Sequence, residues 1–117
     1  MRTTSLSDHL QQPLIKQLYC PDNFWQRLRG LIGRPQLTAD EGLFLPRCAA
    51  IHMLGMRLPL DIVFLDKELR VQRIVDGLKP GRFARCSQSY HTLELGSGAA
   101  QRLKLEIGQQ LKIKGFK

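Results

Sequence analysis

Ile51 to Asp66 reads IHMLGMRLPLDIVFLD, and how this stretch is read decides the fold. Leu60, Ile62 and Phe64 alternate with Val63 and Leu65, so both sides of Leu60 to Leu65 are apolar. Such a run describes a strand covered on both faces. Pro59 fixes its entry and Gly55 permits a bulge or turn before it. Asp66, Lys67 and Glu68 form a polar turn, so Leu69 to Val75 is expected to return antiparallel as a hairpin. Leu69 and Val71 alternate, but Ile74 and Val75 shift the phase. A bulge near Gln72 or Arg73 reconciles them.

Working outward, Ile51 to Met53 is expected to be extended, and Leu43 to Leu45 forms a short strand after Gly42. Further upstream, Asp22 or Asn23 caps a helix in which Phe24, Trp25, Leu28, Leu31 and Ile32 recur at helical spacing. Gly33 and Pro35 stop it. Leu14 to Cys20 suits a strand that Pro21 ends. Met1 to Gln12 is polar and without periodicity, so residues 1–13 are expected to be a flexible arm or an added edge segment, with one domain over residues 14–117. Downstream, Asp76 to Gly81 has loop composition, and Arg82 to Cys86 is a short basic extended piece. Tyr90 to Leu95 alternates, with His91, Leu93 and Leu95 on one side. Ser97 is placed to cap a short helix through Leu103, and Leu111 and Ile113 close the chain with a strand. Many short strands and few helices imply a mainly β (α+β) fold: a small, barrel-like, mostly antiparallel sheet with one or two short flanking helices.

The 117 residues suit a single core, and 43% hydrophobic with 24% charged residues argues against disorder. Lys and Arg number 18 against 10 Asp and Glu, for a formal charge of +8. That surplus would draw an anionic partner, nucleic acid or membrane, through a weak surface contact. Its arginines and lysines are dispersed and aromatic residues are only 7%, so stacking platforms for nucleic acid are few. Cys20, Cys48 and Cys86 are far apart and odd in number, which argues against a secreted disulfide scaffold. With no ordinary signal peptide and no bilayer-spanning apolar run, a soluble cytoplasmic protein with reduced thiols is expected.

RLRGLIGR, DEGLFL, IHMLGMRLPLDIVFLD, LELGSGAA and IGQQLKI, taken in this order from about Phe24 to Ile113, resemble the DUF192 family of small bacterial and archaeal proteins. The matching positions are Arg27, Gly30 and Leu31, then Glu41 and Gly42, then Met56, Pro59, Leu60 and Asp61, and last Glu94 with Gly98. Ile32, Gly33 and Met53 depart from the usual pattern. The resemblance implies a compact barrel-like β domain with flanking helices and implies no activity.

The candidate site residues are Cys48, His52, Met56, Asp61 and Glu94. Cys48, His52 and Met56, four residues apart, would offer thiolate, imidazole and thioether on one face, a set suited to Cu(I). Core packing of the methionines is the simpler account, and we assign no metal ligand and identify no cofactor. Cys48 beside His52 or Cys86 would form an activated thiol or redox pair if they met. Asp61 and Glu94, flanked by core residues, would serve as acid or base. Alternatively they would pair with Arg27 or Arg34 for structure. The favoured reading is a non-enzymatic binding or accessory protein whose small pocket, around His52 to Asp61, holds a small molecule or a partner segment. An enzyme using Cys48, His52 and an acidic residue is the alternative, and basic-surface binding is the third.

Overall fold

The computed structural model describes residues 2–21, 37–53, 56 and 58–116. The first predicted helix, with Trp25, Arg27 and Arg34, lies outside the described residues. The rest is mostly strand. In chain order the elements are β1 (Arg2–Asp8), β2 (Pro13–Cys20), β3 (Glu41–Leu45), β4 (Ala50–His52), β5 (Leu60–Leu65), β6 (Val71–Leu78), β7 (Phe83–Arg85), β8 (His91–Gly96), α1 (Ala99–Arg102) and β9 (Leu111–Ile113). Seven strands form one curled, half-barrel sheet in the order β6-β5-β8-β3-β2-β1-β9, and β4 pairs with β7 as a separate ribbon. All neighbours in the large sheet are antiparallel except β2 and β3. The long connection over residues 21–40 allows that parallel pair, which no tight turn could join.

Strand β5 is central, and all six of its residues are buried, as its apolar run requires. It pairs with β6 on one side and β8 on the other. The phase shift in the returning strand is a bulge: Phe64 faces Arg73 and Leu65 faces Val71, leaving Gln72 over. A second irregularity places Asp61 opposite the Asp76–Gly77 step, between the pairs Ile62–Val75 and Leu60–Leu78. Asp76 to Leu78 therefore belong to β6, although their composition suggested a loop; Gly77 adopts the left-handed φ of 61° that this bulge demands.

Alternation sorts the side chains into two cores. Leu6, Ile15, Leu18, Phe44, Val63, Leu65, Leu93, Leu95 and Ile113 belong to the cluster inside the curl. Leu43, Leu45, Leu60, Ile62 and Phe64 meet Ile51 and Met53 outside it, where the β4–β7 ribbon covers the sheet. The two ends of the sheet approach each other where Val71 N–H donates to Gln109 O at 2.9 Å and Gly108 N–H to Val71 O at 2.7 Å. These bonds protect backbone groups that an open edge would expose.

Residues 2–8, within the segment expected to be a flexible arm or an added edge segment, form β1, which lies between β2 and β9 and buries Leu6 completely. One buried leucine and hydrogen bonds on both edges hold a strand that its polar exposed residues conceal. Ser97 does not cap the short helix, whose N-cap is Gly98 at φ 90° with no side-chain cap. The cap comes from another strand, as described next.

Candidate functional site

Asp61 and Glu94 are both buried, but on opposite faces of the sheet. Asp61 stands opposite Leu95 and Glu94 opposite Ile62, so alternation sends Asp61 into the curl and Glu94 outward. Asp61 Oδ1 accepts the Gly77 N–H at 2.8 Å and Oδ2 accepts the Ala100 N–H at 2.9 Å. Its carboxylate thus ties the β6 bulge and the first turn of α1 to β5. That geometry accounts for a buried acidic residue without any reaction. Glu94 lies on the outer face beside Thr92, whose Oγ1 donates to Cys48 O at 2.5 Å.

The soft-ligand set is not gathered on one side. In β4, Ile51 takes the buried position, so His52 points to solvent opposite exposed Phe83. Cys48 and Met56 instead pack against the outer core, where Met53 is fully buried. Cys48 Sγ lies 3.1 Å from Ala50 O, a local contact. Cys86 N–H donates to Ala49 O at 3.0 Å, so the backbones around Cys48 and Cys86 are adjacent, while Cys20 lies on the inner core. None of the three is in a disulfide. Among the described residues, no three His, Cys, Asp or Glu side chains are gathered to hold a metal ion.

Two features fall outside the candidate set. His91 is buried at the inner end of β8, against Phe44 with ring centroids 5.2 Å apart and Phe116 at 5.4 Å. Its Nδ1 accepts the Arg47 N–H at 3.1 Å, and Arg47 holds a left-handed φ of 55°. Nδ1 as acceptor places the ring proton of the neutral form on Nε2. Burial lowers the His91 pKa from its ordinary 6.5, with Asp66 opposing and Arg47 reinforcing that shift. The sequence signal was its shared side with Leu93 and Leu95.

The second feature is a cavity of about 750 Å³ at the mouth of the half-barrel. Phe44, Ile113, Phe116 and Cys20 supply its apolar wall, and Arg2, Lys16 and Lys114 its charged one. Arg2 pairs with Cys20 across β1 and β2, which puts both at the same end of the sheet. The C-terminal wall is fixed to β1, since Thr4 Oγ1 donates to Lys114 O at 2.8 Å and Lys114 N–H to Ser5 O at 3.2 Å. Four separate parts of the chain build this cavity, so no spacing in the sequence announces it. The same two phenyl rings serve both the cavity and the His91 cage.

Fold and site together define a small half-barrel domain with an open, basic mouth and an internally braced sheet. The chain belongs to the DUF192 family, described as an uncharacterized ACR, whose model matches residues 8–113. It is similar in fold to a Sinorhizobium meliloti 1021 protein proposed to be a transcription regulator. That match has 22% identity and a TM-score of 0.79, and covers 97% of this chain and 93% of the other. It is also similar to a protein of unknown function from Novosphingobium aromaticivorans DSM 12444. Here identity is 23% and the TM-score 0.72, over 94% of this chain and 83% of the other. Comparison with curated proteins gives no match. Among the described residues, no helix is long and apolar enough to cross a membrane.

Proposed function

We propose that this protein is a non-enzymatic binding domain, and that its ligand occupies the mouth of the half-barrel rather than a pocket around His52 to Asp61. The cavity of about 750 Å³ carries the reading, because it falls within the size range of small-molecule sites and joins an apolar side to a polar, charged one. Asp61 is committed to two backbone amides, and His52 faces away from Cys48 and Met56. An enzyme built on Cys48, His52 and a carboxylate therefore has less support than a binding domain. Three thiols outside any disulfide fit a reducing, cytoplasmic setting.

Amide NMR of the full chain during a small-fragment screen tests the proposal. Saturable shifts centred on Thr3 to Ser5, Lys16 and Lys114 to Phe116 are expected. Shifts centred instead on His52 and Phe83 would return the site to the β4–β7 ribbon. A nucleic-acid oligomer that binds over dispersed arginines, with affinity falling steeply in salt, would favour the basic-surface reading.

A further inference from the structure

Resting on the mouth as the binding site, we propose a class for its ligand: a small, free organic anion with an apolar body, such as a medium-chain carboxylate. Charge supplies the first half of the argument. Arg2, Lys16 and Lys114 are exposed on the cavity wall, and among the described residues no Asp or Glu lines it. Among the described residues that line the cavity, the three cations therefore face no carboxylate. Walls of low polarisability beside them focus the field, so an anion is drawn in and a cation repelled.

The wall beneath supplies the second half. Phe44 and Ile113 are buried, Phe116 is partly exposed, and all three face the same space. Pro46 and buried Pro21 extend this apolar side, while Thr3, Thr4 and Ser5 join the cations on the polar one. An inorganic anion would satisfy the rim and leave this surface wet. A neutral hydrocarbon would cover it and leave three charges without a partner. A carboxylate on an apolar chain satisfies both, with its head among the cations and its tail against the rings. The tail gains the burial term that apolar area carries in any pocket. The rim positions the head without a buried ion pair, whose desolvation would offset its attraction.

Ligand and variant are varied together in the test. The full chain, labelled with nitrogen-15, is titrated with octanoate, with 1-octanol of equal length, and with inorganic phosphate. Octanoate is expected to shift the amides of Ser5, Lys16, Lys114 and Phe116 saturably. 1-Octanol should reach the same amides at least about tenfold more weakly, the factor carried by about 1.4 kcal/mol of charge pairing. Phosphate should give no saturable shift there. The double variant K16E/K114E should lose octanoate affinity by a similar factor while its spectrum stays folded. Equal affinity for octanol and octanoate would leave the mouth a binding site and overturn the anionic class. Phosphate matching octanoate would overturn the need for an apolar body. If neither octanoate nor octanol moves these amides, but a screened fragment does, the class falls and the mouth stands. If nothing moves them, both fall.

Discussion

Replacing Asp61 tests the central brace of the fold. The side chain is 1% exposed, and its two oxygens each take one backbone amide, from Gly77 at 2.8 Å and Ala100 at 2.9 Å. Asp61→Ala leaves both donors without an acceptor. A buried unsatisfied N–H costs about 1–3 kcal/mol. The Ala100 amide is deep in the core, whereas Gly77 is half-buried and open to rehydration, so their sum is about 3–4 kcal/mol. That is a large share of the roughly 5–15 kcal/mol that holds a domain folded. Asp61→Asn keeps one acceptor and turns an NH2 towards the other amide, so about 2 kcal/mol is expected. In urea unfolding followed by circular dichroism, the midpoint should fall by about 2 M for Asp61→Ala and about half that for Asp61→Asn. Native-state hydrogen exchange should speed up first at Gly77 and Ala100. Unchanged protection at those two amides, with a midpoint shift under about 0.3 M in Asp61→Ala, would refute the brace.

Other parts of the structure carry their own tests. His91, whose pKa is lowered by burial, is neutral in both folded and unfolded chains above about pH 6.5. As the pH falls below that value the unfolded state takes up the proton first. Stability then declines by at most about 1.4 kcal/mol per pH unit until the folded state also protonates. Urea midpoints at several pH values should show this decline, and His91→Gln should remove it, with Asp66, Arg47 and Tyr90 around the ring unchanged. A Cβ on Gly96 would stand 2.6 Å from the Leu37 carbonyl oxygen, whereas on Gly42 the nearest atom is a movable Leu95 methyl at 2.9 Å. Gly96→Ala should therefore cost about 1–3 kcal/mol and lower the melting temperature more than Gly42→Ala. Thr92→Val removes the bond to the Cys48 carbonyl. It should cost about 1 kcal/mol and raise the rate at which Cys48, relative to Cys20, reacts with a thiol reagent.

How much of this was legible in the chain differs by element. β5 was plain because an apolar run bounded by Pro59 and a polar turn has few alternatives. The bulge at Gln72 was legible as well, since a phase shift within one strand leaves a trace in the order of residues. β1 was not, because a single buried leucine among hydroxyl and charged residues carries no period. Its place depends on β2 and β9 supplying partners from either side. Asp61 and Glu94 looked alike, each a carboxylate among leucines and isoleucines, and only the pairing register puts them on opposite faces.

By itself, then, the sequence determined the fold class, the central strand and its hairpin, and the positive charge. Local periodicity and composition carry these, and both are properties of neighbours in the chain. Tertiary structure alone decided that Asp61 caps a helix 39 residues away, that His52 and Cys48 part company, and that Arg2, Lys16 and Lys114 gather around one cavity. Those outcomes depend on which strands pair and in what register, and a shift of one residue would turn every such side chain to the other face.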